Sequence, residues 1–300
     1  MIQFSPEVAE AVAQNAPVVA LESTIITHGM PFPQNLNTAR RVEAEIRAAG
    51  AVPATIAILE GRLHVGLTDG ELETLAQASN VMKLSRADLA VALATGRTGA
   101  TTVAATMIAA SLAGIGVFAT GGIGGVHKGA EDSFDISADL MELAQTPVTV
   151  VAAGAKAILD LPKTLEVLET QGVPVIAYGQ DAFPAFWSRD SGLAAPLRLD
   201  DPGQIAASAK MRARLGLPGG QLVANPIPAE AEISSTTLAP IIAQAQADAA
   251  GISGKSVTPF LLQRILELTD GKSLEANIAL VLNNARLGAA IARALVKQED

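Results

Sequence analysis

Short, wholly apolar runs alternate with amphipathic segments along nearly the whole chain, and this alternation constrains the fold more than any other feature. A strand that is apolar at consecutive positions buries both of its faces, which is typical of parallel strands covered by helices on either side. Segments with apolar residues three and four positions apart predict those helices. We therefore predict the α/β class, as a single three-layer α/β/α domain over residues 1–300 with a mostly parallel sheet.

Glycines and prolines between the runs give approximate bounds for the elements. The predicted strands are 17–24, 53–66 (a strand and its return, with the turn at Glu60 and Gly61), 82–85, 115–120, 147–153, 174–178 and 221–228. The predicted helices are 37–49, 69–78, one from 86 onward, 101–113, 138–144, 163–170, 203–215 and three more that finish the chain.

Residues 181–203 are rich in Pro and Gly but also carry Phe183, Phe186 and Trp187, unlike a flexible tether. We predict an ordered excursion there, serving as a lid or a subunit contact.

Composition excludes several classes of protein. The 300 residues carry a formal net charge of −9, with 49% hydrophobic and 17% charged residues, so we expect a globular chain that does not bind nucleic acid. The sequence has no cysteine, which excludes disulfides, thiolate metal sites and thiol nucleophiles. The N-terminal residues do not resemble a signal peptide, and the Ala-rich run at 101–114 is too short to span a bilayer. We therefore predict a cytoplasmic protein without membrane contact.

A lysine, Lys156, follows the apolar run VTVVAAGA. Poor solvation of an ammonium group lowers its pKa, and the neutral amine attacks a carbonyl carbon to form a Schiff base. Upstream, the glycine-dense loop at 121–125 follows a predicted strand, where α/β proteins place ligand loops. Its N–H groups would approach an anion closely, although a tight crossover required by packing would use the same glycines. The pattern predicts amine catalysis on a carbonyl compound with an anionic group nearby.

Polar side chains follow the glycine loop. His127 and Lys128 would form a phosphate clamp, or are ordinary packed and surface residues. Asp135, Ser137 and Asp139 surround the start of a predicted helix, where Ser or Asp is an ordinary N-cap. The same oxygens also suit Mg²⁺ or Mn²⁺, and the two roles are compatible.

Three further positions have a chemical and a structural interpretation. Glu22 ends an apolar run, and it is either an acid with a raised pKa or a member of a structural ion pair. Lys83 would bind phosphate or be solvated. Asn277, Asn283 and Asn284 lie on a predicted helix among apolar residues and would read a ligand edge or form a cap network.

Taken in order, these segments resemble the pseudouridine-5′-phosphate glycosidase family, which includes the indigoidine-synthase-A-like proteins. The matching stretches are ALESTIITHGMPFPQN, AVPATIAI, KLSRADL, GATTVAATMIAA, FATGGIGGVHKGAEDSFDISADL, TPVTVVAAGAKAILD, GVPVIAYG, FPAFWSRDSG, VANPIP and TPFLLQRILELTDGKSLEANIALVLNNARL. They cover nearly the whole chain in the expected order, which is far more specific than any single motif.

The resemblance implies reversible cleavage of the C–C glycosidic bond of pseudouridine 5′-phosphate, with water, to uracil and ribose 5-phosphate. It implies that Lys156 forms a Schiff base with the ring-opened sugar and that Glu22 is the general acid. It also implies one Mn²⁺ per subunit, bound through Asp135, and a homotrimer with small-molecule substrates.

The resemblance further implies contacts with the substrate. The matching positions are Lys83, Val103, His127, Ser137, Ala138, Asp139 and Asn277. Of these, Lys83 and His127 would contact the phosphate, and Asn277 the uracil edge.

Four positions depart from the family pattern. Ala153 and Ala157 stand where Cys and Ser are frequent, and Lys128 and Ala87 replace arginines. Lys keeps the charge of Arg but loses its bidentate geometry. Two alternatives therefore stay open: a Schiff-base lyase or aldolase acting on another sugar phosphate, and a non-catalytic nucleotide-binding or pathway-assembly protein descended from such an enzyme.

Overall fold

The structure is a computed structural model that describes residues 2–250, 252 and 257–297. The strands of this part of the chain are β1 (Ile2–Phe4), β2 (Val18–Leu21), β3 (Val52–Leu59), β4 (Arg62–Val65), β5 (Met82–Leu84), β6 (Gly99–Thr101), β7 (Val117–Ala119), β8 (Thr149–Ala152), β9 (Val175–Tyr178), β10 (Leu197–Leu199) and β11 (Gln221–Ala224). The helices are α1 (Pro6–Ala13), α2 (Thr24–Thr27), α3 (Gln34–Ala48), α4 (Asp69–Gln77), α5 (Arg86–Ala94), α6 (Val103–Leu112), α7 (Ala130–Ser133), α8 (Ala138–Gln145), α9 (Leu161–Thr170), α10 (Pro202–Arg214), α11 (Ser235–Asp248), α12 (Val257–Leu268) and α13 (Lys272–Val296). A 3₁₀ turn covers Ala229–Ala231.

All of these strands join one sheet, in the order β1-β4-β3-β2-β7-β8-β11-β9-β10, while β6 pairs with β3 and β5 pairs with β6. Every pair is parallel except β3 with β4 and β3 with β6. Strands β2, β7, β8 and β11 are buried at every position, as expected when both faces of a parallel sheet are covered.

Helices cover the two faces of the sheet. On one face α13 lies across β2, β7 and β8, between α3 and α10. On the other face α6 packs against β2, β3 and β7, with α5 and α8 beside it and α9 next to α8. The predicted α/β fold, with a mostly parallel sheet between helical layers, is confirmed.

Most predicted elements form within a few residues of their expected bounds, and the differences have local causes. The turn between β3 and β4 has positive φ at Glu60 and Gly61, as in a type I′ hairpin. The helix predicted from residue 101 begins at Val103, because residues 99–101 form β6. Strands β1, β6 and β10, of three residues each, were not predicted.

Residues 181–203 form a packed excursion that ends in β10. Phe183, Phe186 and Trp187 are buried, and the Phe186 N–H donates to the Ala153 carbonyl at 2.9 Å. Phe186 has φ 61°, a left-handed conformation that is strained for a bulky residue and that tends to occur at functional sites. The ordered character agrees with the prediction. A role as lid or subunit contact stays a prediction.

Helix α13 is long and apolar enough to cross a membrane by length and composition. It packs between α3 and α10 on one face of the sheet, which is the position of a core helix in a globular protein.

Candidate active site

A cleft opens at the edge of the sheet where the parallel strands end. Its volume is about 1240 Å³, including the open mouth. Residues directly after β2, β5, β6, β7 and β8 supply much of its lining, which is where α/β sheets bind ligands. Eight of the residues singled out from the sequence line this cleft: Glu22, Lys83, Val103, His127, Ser137, Asp139, Lys156 and Asn277. Two others, Asp135 and Ala138, lie outside the lining.

Glu22 follows β2 directly and is held by two hydroxyl groups. Thr24 Oγ1 donates to one carboxyl oxygen, and Thr120 Oγ1, at the end of the neighbouring strand β7, donates to the other. After β2 the chain continues to α3 on one face of the sheet, and after β7 it continues to α8 on the other face. The crevice between the ends of β2 and β7 is therefore a topological switch point, where sheets of this kind bind ligands. Among the described residues these hydroxyls are the hydrogen-bond partners of Glu22, and the ion pair considered as an alternative is not seen.

A chain of buried amides lies behind Thr120. Asn284 Nδ2 donates to the Thr120 carbonyl at 2.7 Å, and Asn225 Nδ2 donates to Asn284 Oδ1 at 3.0 Å. Asn283 Nδ2 donates to the Pro226 carbonyl at 3.1 Å. These two helix asparagines therefore belong to a structural network, and Asn277 is the one that lines the cleft.

Lys156 lies in the tight turn after β8 and is half-buried, with the cleft on its open side. Its backbone N–H donates to the Ile123 carbonyl at 3.1 Å, and this hydrogen bond ties the turn to the glycine loop. Gly154 has φ 81°, and a Cβ there would come within 2.3 Å of the Pro184 carbonyl oxygen. Only glycine fits this turn, and the turn sets the lysine facing the same cleft as Glu22.

Two histidines and two lysines line the cleft of this acidic chain. Burial lowers the pKa of His28, and the charge of Lys83 lowers it further. Burial also lowers the pKa of His127; the Asp135 charge opposes this, whereas Lys156 and Lys83 add to it. Both imidazoles are therefore neutral at neutral pH and act as hydrogen-bonding groups.

His28 was not expected from the sequence as a site residue. Its Nδ1 is 2.6 Å from Thr27 Oγ1, and it lies in the stretch ITHGMP, which carries no chemical signal beyond the histidine itself. Its place in the cleft depends on α2, a single turn of helix after Glu22.

One N–H group of the glycine loop, that of Gly124, is already bonded within the protein. The Gly124 N–H donates to Asp139 Oδ2 at 2.8 Å, and the Ala104 N–H donates to Asp139 Oδ1 at 3.0 Å. The carboxylate of Asp139 therefore already occupies the Gly124 N–H and ties the loop to the first turn of α6.

The glycines of this loop are required by space rather than by backbone conformation, since none in 121–125 has a positive φ. A Cβ on Gly122 would lie 2.6 Å from the Phe186 ring. A Cβ on Gly124 would lie 2.3 Å from Ser137 Oγ and 2.9 Å from Asp139 Oδ2. The packing interpretation is correct for these two positions, and both also line the cleft.

Substitution Gly124→Ala should lower the free energy of unfolding by about 1–3 kcal/mol, because Ser137 and Asp139 must move to admit the methyl group. The control is Gly70→Ala at the start of α4, where a Cβ would meet no atom within 4 Å. We expect the control to stay within about 0.5 kcal/mol of wild type. Denaturant unfolding of both variants measures the difference, and equal stability of the two would contradict the close contact.

Two helix N-termini lie beside these cationic groups. Helix α6 begins at Val103, which is buried, and α8 begins at Ala138, with Ser137 Oγ as an N-cap that accepts the Asp139 N–H at 3.3 Å. The N–H groups at a helix start carry partial positive charge and bind anions. Thr102, not predicted from the sequence, also lines the cleft, and its Oγ1 is buried without a partner in the described part of the chain.

Asp135 lies on the flank of the cleft. Its backbone carbonyl accepts the His127 backbone N–H at 3.0 Å. Its charge partly offsets the lowering of the His127 pKa by burial. The described residues contain no cluster of three or more His, Cys, Asp or Glu side chains able to hold a metal. Asp135 offers a single carboxylate, and a hard cation bound through it would have to keep most of its waters.

The structure does not bring Lys128 into the cleft. This residue is exposed, and its Nζ donates to Gln246 Oε1 at 3.3 Å on α11. Of the predicted His127–Lys128 clamp, only the histidine lines the cleft.

Comparison with known proteins adds independent evidence. The sequence matches the family described as indigoidine synthase A like protein over residues 7–294. It is 77% identical over 296 residues to a protein of Jannaschia sp. (strain CCS1) named pseudouridine-5′-phosphate glycosidase, with 98% of each chain covered. It is 72% identical over 299 residues to the protein of that name from Paracoccus denitrificans (strain Pd 1222), again with 98% of each covered.

Two solved structures share the fold over 99% of this chain and 97% of theirs. One is the prealnumycin C-glycosynthase AlnA in complex with ribulose 5-phosphate, with a TM-score of 0.91 and 41% identity. The other is an indigoidine synthase A-like protein from Thermotoga maritima, with a TM-score of 0.91 and 33% identity. Matched over almost its full length in sequence and in structure, the chain belongs to the indigoidine synthase A-like family of enzymes, which includes the pseudouridine-5′-phosphate glycosidases.

Proposed function

We propose that this enzyme cleaves pseudouridine 5′-phosphate reversibly, with water, to uracil and ribose 5-phosphate through a Schiff base on Lys156. The observation that carries the proposal is the shared cleft: a half-buried lysine and a carboxyl group fixed by two threonines line the same cleft. The names of the relatives, at 77% and 72% identity, support the substrate.

In the direction of cleavage, the amine of Lys156 forms a bond to C1′ while the C1′–O4′ bond breaks. A proton of the amine passes to O4′, which becomes a hydroxyl group. Glu22 then gives a proton to C5 of the base. The electron pair of the C1′–C5 bond returns to the base ring, while the nitrogen lone pair forms the C=N bond to C1′. Water adds to this carbon, releases ribose 5-phosphate and the free amine, and returns a proton to Glu22. The carboxyl is thus required near the base, and the amine near the sugar.

The phosphate is proposed to bind at the cationic end of the cleft. Lys83 supplies charge, His127 supplies a neutral hydrogen-bonding group, and the starts of α6 and α8 supply N–H groups at Val103 and Ala138. Ser137, whose backbone N–H donates to the Gly125 carbonyl at 3.0 Å, would contact the phosphate through its hydroxyl group. Asp139 is proposed to line the substrate there while holding the Gly124 N–H. Binding energy from this remote group would orient C1′ towards the amine.

We propose that one Mn²⁺ binds through Asp135. When bound, the cation would supply positive charge beside the phosphate end of the cleft.

Substitution Asp135→Asn should weaken Mn²⁺ binding by at least about tenfold, because the amide removes the charged ligand. Asp132→Asn, an exposed residue of the preceding turn α7, is the matched control. Electron paramagnetic resonance of free Mn²⁺ gives both affinities, and equal affinity of the two variants would place the metal elsewhere.

The enzyme is proposed to be a cytoplasmic homotrimer that acts on small molecules only. Support for an assembly comes from apolar side chains exposed near the start of α8, where Phe134 is 82% exposed and Ile136 and Met141 more than 40%. Patches of this kind often mark contacts between subunits. Light scattering in solution measures the mass, and a monomer would contradict the proposal.

The test of the function is direct. Protein with Mn²⁺, uracil and ribose 5-phosphate should form pseudouridine 5′-phosphate, identified by mass, and pseudouridine 5′-phosphate should in turn release uracil. Absence of product in both directions would reject the proposed substrate.

A second candidate is a Schiff-base lyase or aldolase acting on another sugar phosphate, favoured by the ribulose 5-phosphate bound to AlnA. It predicts a sugar phosphate adduct on Lys156 without incorporation of uracil.

A further inference from the structure

The indole of Trp187 is buried beside Phe186 and Asn277, two residues that line the cleft. Its side chain is 1% exposed, and its ring meets that of Phe186 edge to face at a centroid distance of 5.0 Å. Its carbonyl accepts the Ile233 N–H at 2.9 Å. An indole held in this way has one direction in which to present its N–H group.

That N–H group points at α13. Trp187 Nε1 donates to Asn277 Oδ1 at 2.6 Å and to the Ser273 carbonyl at 3.2 Å. Asn277 also lines the cleft. An indole nitrogen donates and never accepts, so the amide of Asn277 must turn its oxygen to the tryptophan. The orientation of this amide therefore follows from hydrogen-bond chemistry, although the oxygen and nitrogen of an amide are otherwise hard to tell apart.

The NH₂ group of Asn277 is left for the cleft. Within the described part of the chain no acceptor pairs with its Nδ2, whereas the Nδ2 atoms of Asn284 and Asn283 on the same helix both have carbonyl acceptors. A polar group at the wall of a binding cleft without a protein partner is available to the ligand.

We propose that Trp187 is a positioning residue that locks the Asn277 amide with its NH₂ group towards the bound base. The base site then selects a ring that places a carbonyl oxygen at this point over one that places an amino group there. This inference rests on the proposed function, because it concerns the uracil half of that substrate. A mismatched amino group would leave two donors facing each other, which is how a hydrogen-bonding site rejects an analogue.

The first test separates base binding from sugar chemistry. In Trp187→Phe the aromatic packing is kept and the donor is lost, so the Asn277 amide is free to turn over. The KM for uracil should rise about tenfold to a hundredfold, as for the loss of one oriented hydrogen bond. Borohydride trapping of ribose 5-phosphate on Lys156 should be unchanged. Phe183→Leu, in the same buried segment but away from this hydrogen bond, is the control for loosened packing and should keep the wild-type KM. A KM in Trp187→Phe equal to that of Phe183→Leu would overturn the inference.

The second test does not depend on the stability of the tryptophan variant. In Asn277→Asp, one carboxylate oxygen still accepts the Trp187 N–H, and the other replaces the NH₂ group with an acceptor. Isocytosine and cytosine, in which an amino group replaces the C2 or the C4 carbonyl, are measured with uracil as inhibitors that compete for the base site.

In wild type, uracil should bind more tightly than at least one of these analogues by about tenfold or more. In Asn277→Asp that same analogue should become the better inhibitor, and an unchanged order of the three bases would overturn the inference. Failure of the proposed function gives a different result from failure of this inference. Wild type would then make no pseudouridine 5′-phosphate from uracil, and both proposals would be rejected together.

Discussion

Lys156→Met should reduce the rate of pseudouridine 5′-phosphate cleavage by about 10⁴-fold or more, because it removes the amine that bonds to C1′ in the proposed mechanism, while Lys83, the other lysine of the cleft, is proposed to bind the phosphate. Methionine keeps the length and the apolar stem of the side chain, so the turn after β8 and the bond from the Lys156 N–H to Ile123 should persist. The measurement is the release of uracil under single-turnover conditions, which excludes slow product release as the cause.

The matched control for this change is Lys128→Met. That lysine follows the same glycine loop but is exposed and bonded to Gln246. We expect activity within about twofold of wild type, as for a surface position away from the cleft. If Lys156→Met retained more than a few per cent of activity, a mechanism without this amine would be required.

Glu22→Gln should lower kcat for cleavage by about 10²- to 10⁴-fold, the range for loss of a positioned general acid. Glutamine can accept from only one of Thr24 and Thr120 through its oxygen, but it is nearly isosteric, so the cleft should keep its shape. Ribose 5-phosphate should still form its adduct with Lys156, because the sugar alone needs no proton at the base carbon. A Glu22→Gln variant that loses turnover but still forms the ribose 5-phosphate adduct would show that the carboxyl acts at the base, in the step that breaks the C–C bond.

The control for the acid is Glu10→Gln, the same chemical change at an exposed position of α1. It should leave both turnover and adduct formation unchanged. If Glu22→Gln lost the adduct together with turnover, the carboxyl would act at the sugar before the C–C bond is broken, contrary to the proposed sequence of steps.

The features that the sequence predicted well are those with local causes. Lys156 and Glu22 each follow an apolar run that must be a buried strand, and the carboxyl ends of parallel strands lie at the same edge of a sheet. Although β7 separates the two strands, both residues line the cleft at that edge. The N-cap role of Ser137 likewise follows from residues adjacent in sequence.

The features that were missed depend on distant parts of the chain. The hydroxyl that holds Glu22 comes from Thr120, which is 98 residues away, and the donor that orients Asn277 comes from Trp187, which is 90 residues away. The residues around His28 carry no local signal that would place it in the cleft. Local patterns also left open what the Gly124 N–H would bind, and the structure assigns it to the protein's own Asp139.

The most direct measurement is borohydride reduction of wild-type protein with ribose 5-phosphate, followed by peptide mass mapping. The covalent intermediate predicts a mass increase equal to ribose 5-phosphate less one oxygen atom, confined to the peptide that contains Lys156. No adduct, or an adduct confined to another lysine such as Lys83, would contradict the account.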